Sequence, residues 1–179
     1  TLISHLGKLY SKMLDRRVNK VIEDKKFLPE AQAGFRNDRS TIDMIFVARL
    51  LSEGARNNKT DMYCVFVDLK KAYDSVNREL LWILLERIGV PPKLVKAIAA
   101  LHNGMRGNVK VNGESGDSFD ILLGLRQGCV LSTTLFNIFF TCVLMMMKNI
   151  LTKQLDELGV KVSVRMDEKG SNLWADRIT

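Results

Sequence analysis

Leu9, Met13, Val18 and Val21 recur among basic residues between positions 7 and 24, a spacing that predicts an amphipathic helix running into the charged Glu23-Asp24-Lys25-Lys26. A loop, Pro29 to Arg39, follows. Ser40 with Asp43 three residues on forms a capping box, and Ile42, Ile45, Phe46 and Leu50 continue at helical spacing to the Asn57-Asn58 stop. The run Met62 to Val67 does not alternate, which predicts a strand covered on both faces and ending at Asp68. Asp74 or Ser75 is then expected to cap a helix carrying Leu80, Leu81, Leu84, Leu85 and Ile88 on one side and closed by Gly89. Leu94, Ile98 and Leu101 mark another short helix beyond Pro91-Pro92. From Gly107 to Gly124 the pattern alternates around an Asn-Gly turn, as a β-hairpin does. A long apolar helix is expected from about Ser132, its plausible N-cap, and Val160, Val162, Val164 and Met166 read as a half-buried strand. With no repeat and no clear linker, the pattern describes one α+β unit.

Other totals sharpen this picture only in places. The 179 residues are 46% hydrophobic, enough for a packed core. The formal charge of +7 is uneven: residues 1–60 hold 12 Lys/Arg against 7 Asp/Glu, a net of +5, and residues 61–179 hold 15 against 13, a net of +2. That bias points to a polyanionic partner met by the first third of the chain. Cys64, Cys129 and Cys142 lie in apolar runs without zinc spacing and read as reduced core residues of an intracellular protein. The opening segment has no leader pattern and begins with Thr rather than Met, so a piece of a longer chain is expected. Cys129 to Met147 is uncharged over about the length a bilayer needs. Thr133, Asn137 and Thr141 place a polar stripe along it, which favours a buried globular helix over a membrane span.

A carboxylate directly after an apolar strand is costly unless something positive meets it, and Asp68 therefore calls for a metal ion or a fixed basic group. Its surroundings, "FVDLKKAYDSV", resemble the first catalytic box of reverse transcriptases of non-LTR (LINE-type) retrotransposons. "GLRQGCVLSTTLFNIFF" resembles that family's G-x-x-Q-G-x-x-x-S-P-x-L-F stretch, and "AQAGFRNDRSTID" its fingers sequence Q-x-G-F-R-x-x-R-S-T. Three boxes in the family's order are a far more specific signal than any one of them.

The resemblance implies a partial right-hand polymerase, with fingers over about residues 1–60 and palm over about 61–179, its strands backed by helices and the thumb absent. It implies RNA-directed DNA synthesis on an RNA template from a DNA primer and deoxynucleoside triphosphates, inside the cell and, for an intact parent, in the nucleus. Asp68 matches the position that binds metal in a site holding two Mg²⁺ ions. Tyr73 matches the aromatic residue under the incoming sugar, where a ring excludes a 2′-hydroxyl. Gln127 and Gly128 match the nucleotide-pocket box, and Arg36 and Arg39 match fingers positions near phosphates. The family's Pro after the box serine is Thr133 in this chain. Its Phe/Tyr-Ala-Asp-Asp box has only a partial counterpart in Trp174-Ala175-Asp176, followed by Arg177. Asp176 is thus a second metal-ligand candidate, in either a decayed box or an insertion before the true one. The resemblance therefore also accommodates a non-catalytic nucleic-acid-binding remnant and, more distantly, a group II intron maturase.

Overall fold

The computed structural model describes residues 4–36, 38–157, 163–166 and 172–176. Helix α1 (His5–Asp24) starts where the Ser4 hydroxyl accepts the Gly7 amide, and it turns Ser11, Leu14, Val18 and Ile22 inward. Helix α2 (Thr41–Asn57) carries the expected capping box between Ser40 and Asp43. Its apolar positions do not form the expected buried face: none of its residues is buried, and Ile42, Ile45, Phe46 and Leu50 are all exposed.

The strand expected over Met62 to Val67 does not form. The segment is extended but unpaired among the described residues, and its side chains are exposed, Phe66 at 96%. A strand gains its backbone hydrogen bonds only from a neighbour. With none alongside, apolar composition alone does not bury it. Cys64, expected in the core, is exposed with it, whereas Cys129 is buried and Cys142 half-buried, all three as free thiols.

Beyond a turn over residues 70–75, α3 (Arg78–Ile88) is capped by Asn77, whose side chain accepts the Leu80 amide. Asp74 and Ser75 do not cap it. Leu81 and Leu85 form its buried face, and Gly89 closes it at φ 97°. Helix α4 (Pro92–His102) buries Leu94, Val95, Ile98 and His102. Strands β1 (Arg106–Val111) and β2 (Glu114–Asp120) form the expected antiparallel hairpin. Asn112 and Gly113 both take positive φ in its turn, as a two-residue connection of this hand requires.

Helix α5 (Val130–Glu157) begins two residues before the expected cap. Ser132 therefore lies inside it and instead donates its hydroxyl to the Arg126 carbonyl, 2.8 Å away. By length and composition α5 is apolar enough to cross a membrane. In this fold, however, its first half supplies Leu131, Leu135 and Ile138 to the core shared with α1, α3 and α4. Burying each such side chain contributes about 1.5–3 kcal/mol. Of the polar stripe, Asn137 is paired and Thr133 bonds within its own helix, the buried Thr141 hydroxyl has no partner among the described residues, and the neighbouring Thr134 is paired too. Thr134 donates to Asp15 at 2.6 Å and Asn137 to the Gly34 carbonyl at 2.6 Å, while Gln32 donates to Asn137. These bonds pin α1 and the loop before α2 onto α5. Strands β3 (Ser163–Met166) and β4 (Asn172–Asp176) pair antiparallel with each other. Val160 and Val162, the start of the expected strand, lie outside the described residues.

His102 sets a pH limit on this packing. It is 1% exposed, its Nδ1 lies 3.0 Å from the Ile98 carbonyl, and its Nε2 has no partner among the described residues. Burial pushes its pKa below the usual 6.5, and the Arg78 and Arg126 guanidinium groups add to that shift against the opposing effect of the Ile98 bond. The folded state thus prefers neutral imidazole, while the unfolded chain takes up a proton near pH 6.5. The associated stability is present above that value and is lost as pH falls from about 6.5 through the lowered folded pKa. Urea midpoints measured from pH 7.5 to 5 are expected to decline, and His102→Gln is expected to flatten the decline. An identical slope in the variant would assign the pH dependence to other groups.

Candidate nucleotide site

Two segments far apart in sequence build the centre of the site. The turn over residues 70–75 is closed by Ser75, whose amide and hydroxyl both donate to the Lys71 carbonyl, with Lys71 at φ 51°. The loop between β2 and α5 meets this turn backbone to backbone: the Leu125 amide donates to the Tyr73 carbonyl at 2.9 Å and the Gly124 amide to the Val76 carbonyl at 3.0 Å. Gly124 permits the approach. Its φ is +83°, and a Cβ there would stand 2.7 Å from the Asp74 Cα and 3.0 Å from the Tyr73 carbonyl oxygen. Two of the three boxes that carry the resemblance thus meet in one joint.

Side chains complete it. The Tyr73 ring is half-buried against Phe136 of α5, with centroids 4.9 Å apart, and Phe136 stacks on Phe140. Burial raises the Tyr73 phenol above its ordinary value, so it is neutral at working pH. Gln127 is exposed and donates its side-chain amide to Asp74 at 2.9 Å. A carboxylate only accepts, so this bond fixes the amide's orientation and leaves the Gln127 carbonyl oxygen for a ligand that donates, such as a hydroxyl or an amino group. Gly128 follows at φ 82°. Thr133 donates to the Val130 carbonyl at 2.7 Å, so a local side-chain bond closes the first turn of α5 where the family's box has proline.

The remaining expected residues are not gathered at the joint. Asp68 is exposed in the extended segment, and among the described residues no three metal-ligating side chains come together. A pair of Mg²⁺ ions needs several oxygen ligands, so one carboxylate does not fit such a site by itself. Asp176 ends β4 opposite Ser163 rather than lying in a hairpin turn, and Arg177 is outside the described residues. Arg36 turns inward: its side chain is 9% exposed, pairs with Glu23 at 3.2 Å and donates to the Pro29 carbonyl at 3.1 Å. In this arrangement it is a strut of its loop rather than a free phosphate contact. Arg39 is partly exposed and pairs with Glu30.

Two contributors escape a reading of sequence alone. Asp74, expected to cap α3, instead orients Gln127. Arg78 donates at 2.6 Å to both the His102 and Ile121 carbonyls, strapping α3 to the end of α4 and to the residue after β2. Its signal was a cation in the first turn of a helix, where the macrodipole disfavours positive charge unless a specific partner holds it.

Comparison with known proteins bears on what this joint belongs to. The chain is 26% identical over 141 residues to the probable RNA-directed DNA polymerase from transposon BS of Drosophila melanogaster, with 78% of this chain and 15% of that protein covered. It is 27% identical over 139 residues to the RNA-directed DNA polymerase from mobile element jockey of the same species, with the same coverage. To the retrovirus-related Pol polyprotein from type-1 retrotransposable element R2 of Bradysia coprophila it is 26% identical over 131 residues, covering 73% of this chain and 15% of that protein. The chain therefore spans about 15% of the length of these relatives. The family model for reverse transcriptase (RNA-dependent DNA polymerase) matches residues 1–168, which takes in all three boxes and the Tyr73–Leu125 joint, and the chain belongs to that family.

Proposed function

We propose that this chain is the fingers-and-palm part of an RNA-directed DNA polymerase and that the joint between residues 73–76 and 124–128 is the floor of its deoxynucleotide pocket. The observation that carries this reading is the pair of backbone bonds from Leu125 to Tyr73 and from Gly124 to Val76. They join the segment that carries the Tyr73 ring to the loop that leads into Gln127, whose carboxamide Asp74 orients. Tyr73 would lie under the sugar, and the free carbonyl oxygen of Gln127 would accept from a sugar hydroxyl or a base amino group. Residues 1–60 are proposed as fingers and residues 61–179 as mainly palm. An RNA template, a DNA primer and deoxynucleoside triphosphates are the proposed partners, with Mg²⁺ as the family's cofactor and the cell interior as the proposed location.

The test is extension of a DNA primer on an RNA template by a polymerase polypeptide that contains this chain. Template-directed incorporation of deoxynucleotides is the expected result. A second reading, a nucleic-acid-binding remnant without catalysis, is favoured by the fact that among the described residues no three metal-ligating side chains gather around Asp68. Retained RNA binding with no incorporation would select it.

A further inference from the structure

An open groove of about 540 Å³ runs between α1 and the start of α5, and Lys12, Arg16 and Lys20 line its α1 side. We propose that this groove binds the phosphodiester backbone of a nucleic-acid strand; the proposal rests on the polymerase reading and assigns that reading's polyanion contact to a face of α1.

Three observations carry it. The cations are spaced four residues apart on one helix, so each stands about 6 Å further along the axis than the last, a linear row suited to a linear polyanion. Lys8 continues the row one turn earlier. Among the described residues no carboxylate lies within ion-pairing distance of Lys12, Arg16 or Lys20. The two carboxylates that do line the groove are engaged elsewhere: Asp15 accepts the Thr134 hydroxyl at 2.6 Å, and Glu23 pairs with Arg36. Like charges at i, i+4 destabilise a helix, so a run of them is a standing cost that a bound anion would relieve. The contrast with Arg36 is direct. The loop arginine that sequence points to is committed inside the fold, while the cations of α1 face outward.

Contacts of this kind read charge and not bases, so the binding should be indifferent to sequence and set by salt. The experiment is fluorescence anisotropy of a labelled oligouridine strand with the whole chain across a salt series. Lys12→Gln, Arg16→Gln and Lys20→Gln together are compared with an equal charge loss at the exposed residues Arg87, Lys93 and Lys96. For three lost phosphate contacts, the groove variant should reduce the slope of log K against log salt by about 2, and the control set should leave it near the parent value. Arg16→Gln alone, expected to remove about a third of that change, keeps the test valid if the triple variant fails to fold. Equal slopes for the two triple variants with RNA still bound would overturn the groove while sparing the polymerase reading. Absence of binding by the parent chain at low salt would overturn both. Loss of binding to phosphatidylserine vesicles with the RNA slope unchanged would assign the face to a lipid surface and overturn the proposal.

Discussion

Gly124→Ala is expected to destabilise the chain by about 2–5 kcal/mol, the sum of placing a side chain at positive φ and of forcing a Cβ into packed backbone. The Cβ would stand 2.7 Å from the Asp74 Cα and 2.9 Å from the Asp74 carbonyl oxygen, and neither atom can swing aside as a flexible side chain would. Relief requires parting the loop from the turn, which breaks the Leu125–Tyr73 and Gly124–Val76 bonds. Gly104 provides the control. It also has positive φ, +61°, but nothing lies within 4 Å of its Cβ position, so Gly104→Ala isolates the conformational cost. Urea midpoints of the two variants separate the effects. Equal losses would mean that close approach at Gly124 contributes nothing and that the joint is not tightly packed. A loss at the upper end of the range would rival the whole stability of a small domain, so the variant is expected to be largely unfolded at 37 °C.

How much of this was legible in sequence depends on where each element finds its partners. The capping box at Ser40 and Asp43, the Gly89 stop and the Asn112-Gly113 turn are satisfied within a few residues, and each stands as expected. The extended run Met62 to Val67 shows the opposite. Its side chains specify a strand, but a strand is completed by a neighbour distant in sequence, and none of the described residues pairs with it. The same holds for α2, whose apolar spacing predicts helix correctly yet buries nothing. Periodicity reports what an element needs; it does not report whether the need is met.

The site divides along similar lines. The family resemblance singled out Tyr73, Gln127 and Gly128 as candidates, and the fold ties their segments together. It did not distinguish a free arginine from a buried one. Arg36 has a suitable residue type at a suitable position, but three acceptors, the Glu23 carboxylate and the Pro29 and Gln32 carbonyls, come from residues 4 to 13 positions away and take up its guanidinium. Asp74 was misread for a related reason. A short carboxylate ahead of a helix usually caps it, but Asn77 lies closer to the first turn and takes the role, leaving Asp74 to meet a glutamine 53 residues away.

Tyr73→Ala, introduced into a polymerase that carries this stretch, is expected to raise the ratio of ribonucleotide to deoxynucleotide incorporation by roughly 10²-fold while deoxynucleotide use is largely retained. The argument concerns a volume. A ring held against Phe136 at 4.9 Å, with its backbone carbonyl tied to Leu125, has little freedom to retreat from an added hydroxyl. Exclusion by a fixed obstacle penalises only the nucleotide that carries the extra atom, so removing the obstacle changes the ratio without removing a contact to the correct substrate. Tyr73→Phe separates this from hydrogen bonding. It keeps the ring and the packing on Phe136 and removes only the phenol oxygen, and it should leave the ratio at the parent value. The alanine variant also removes part of the packing around Phe136, so total activity falls somewhat at elevated temperature, and the ratio rather than the rate is the deciding quantity. An unchanged ratio accompanied by lower activity would make Tyr73 a packing residue at the base of α5, and the pocket floor proposed for this joint would have to be placed elsewhere.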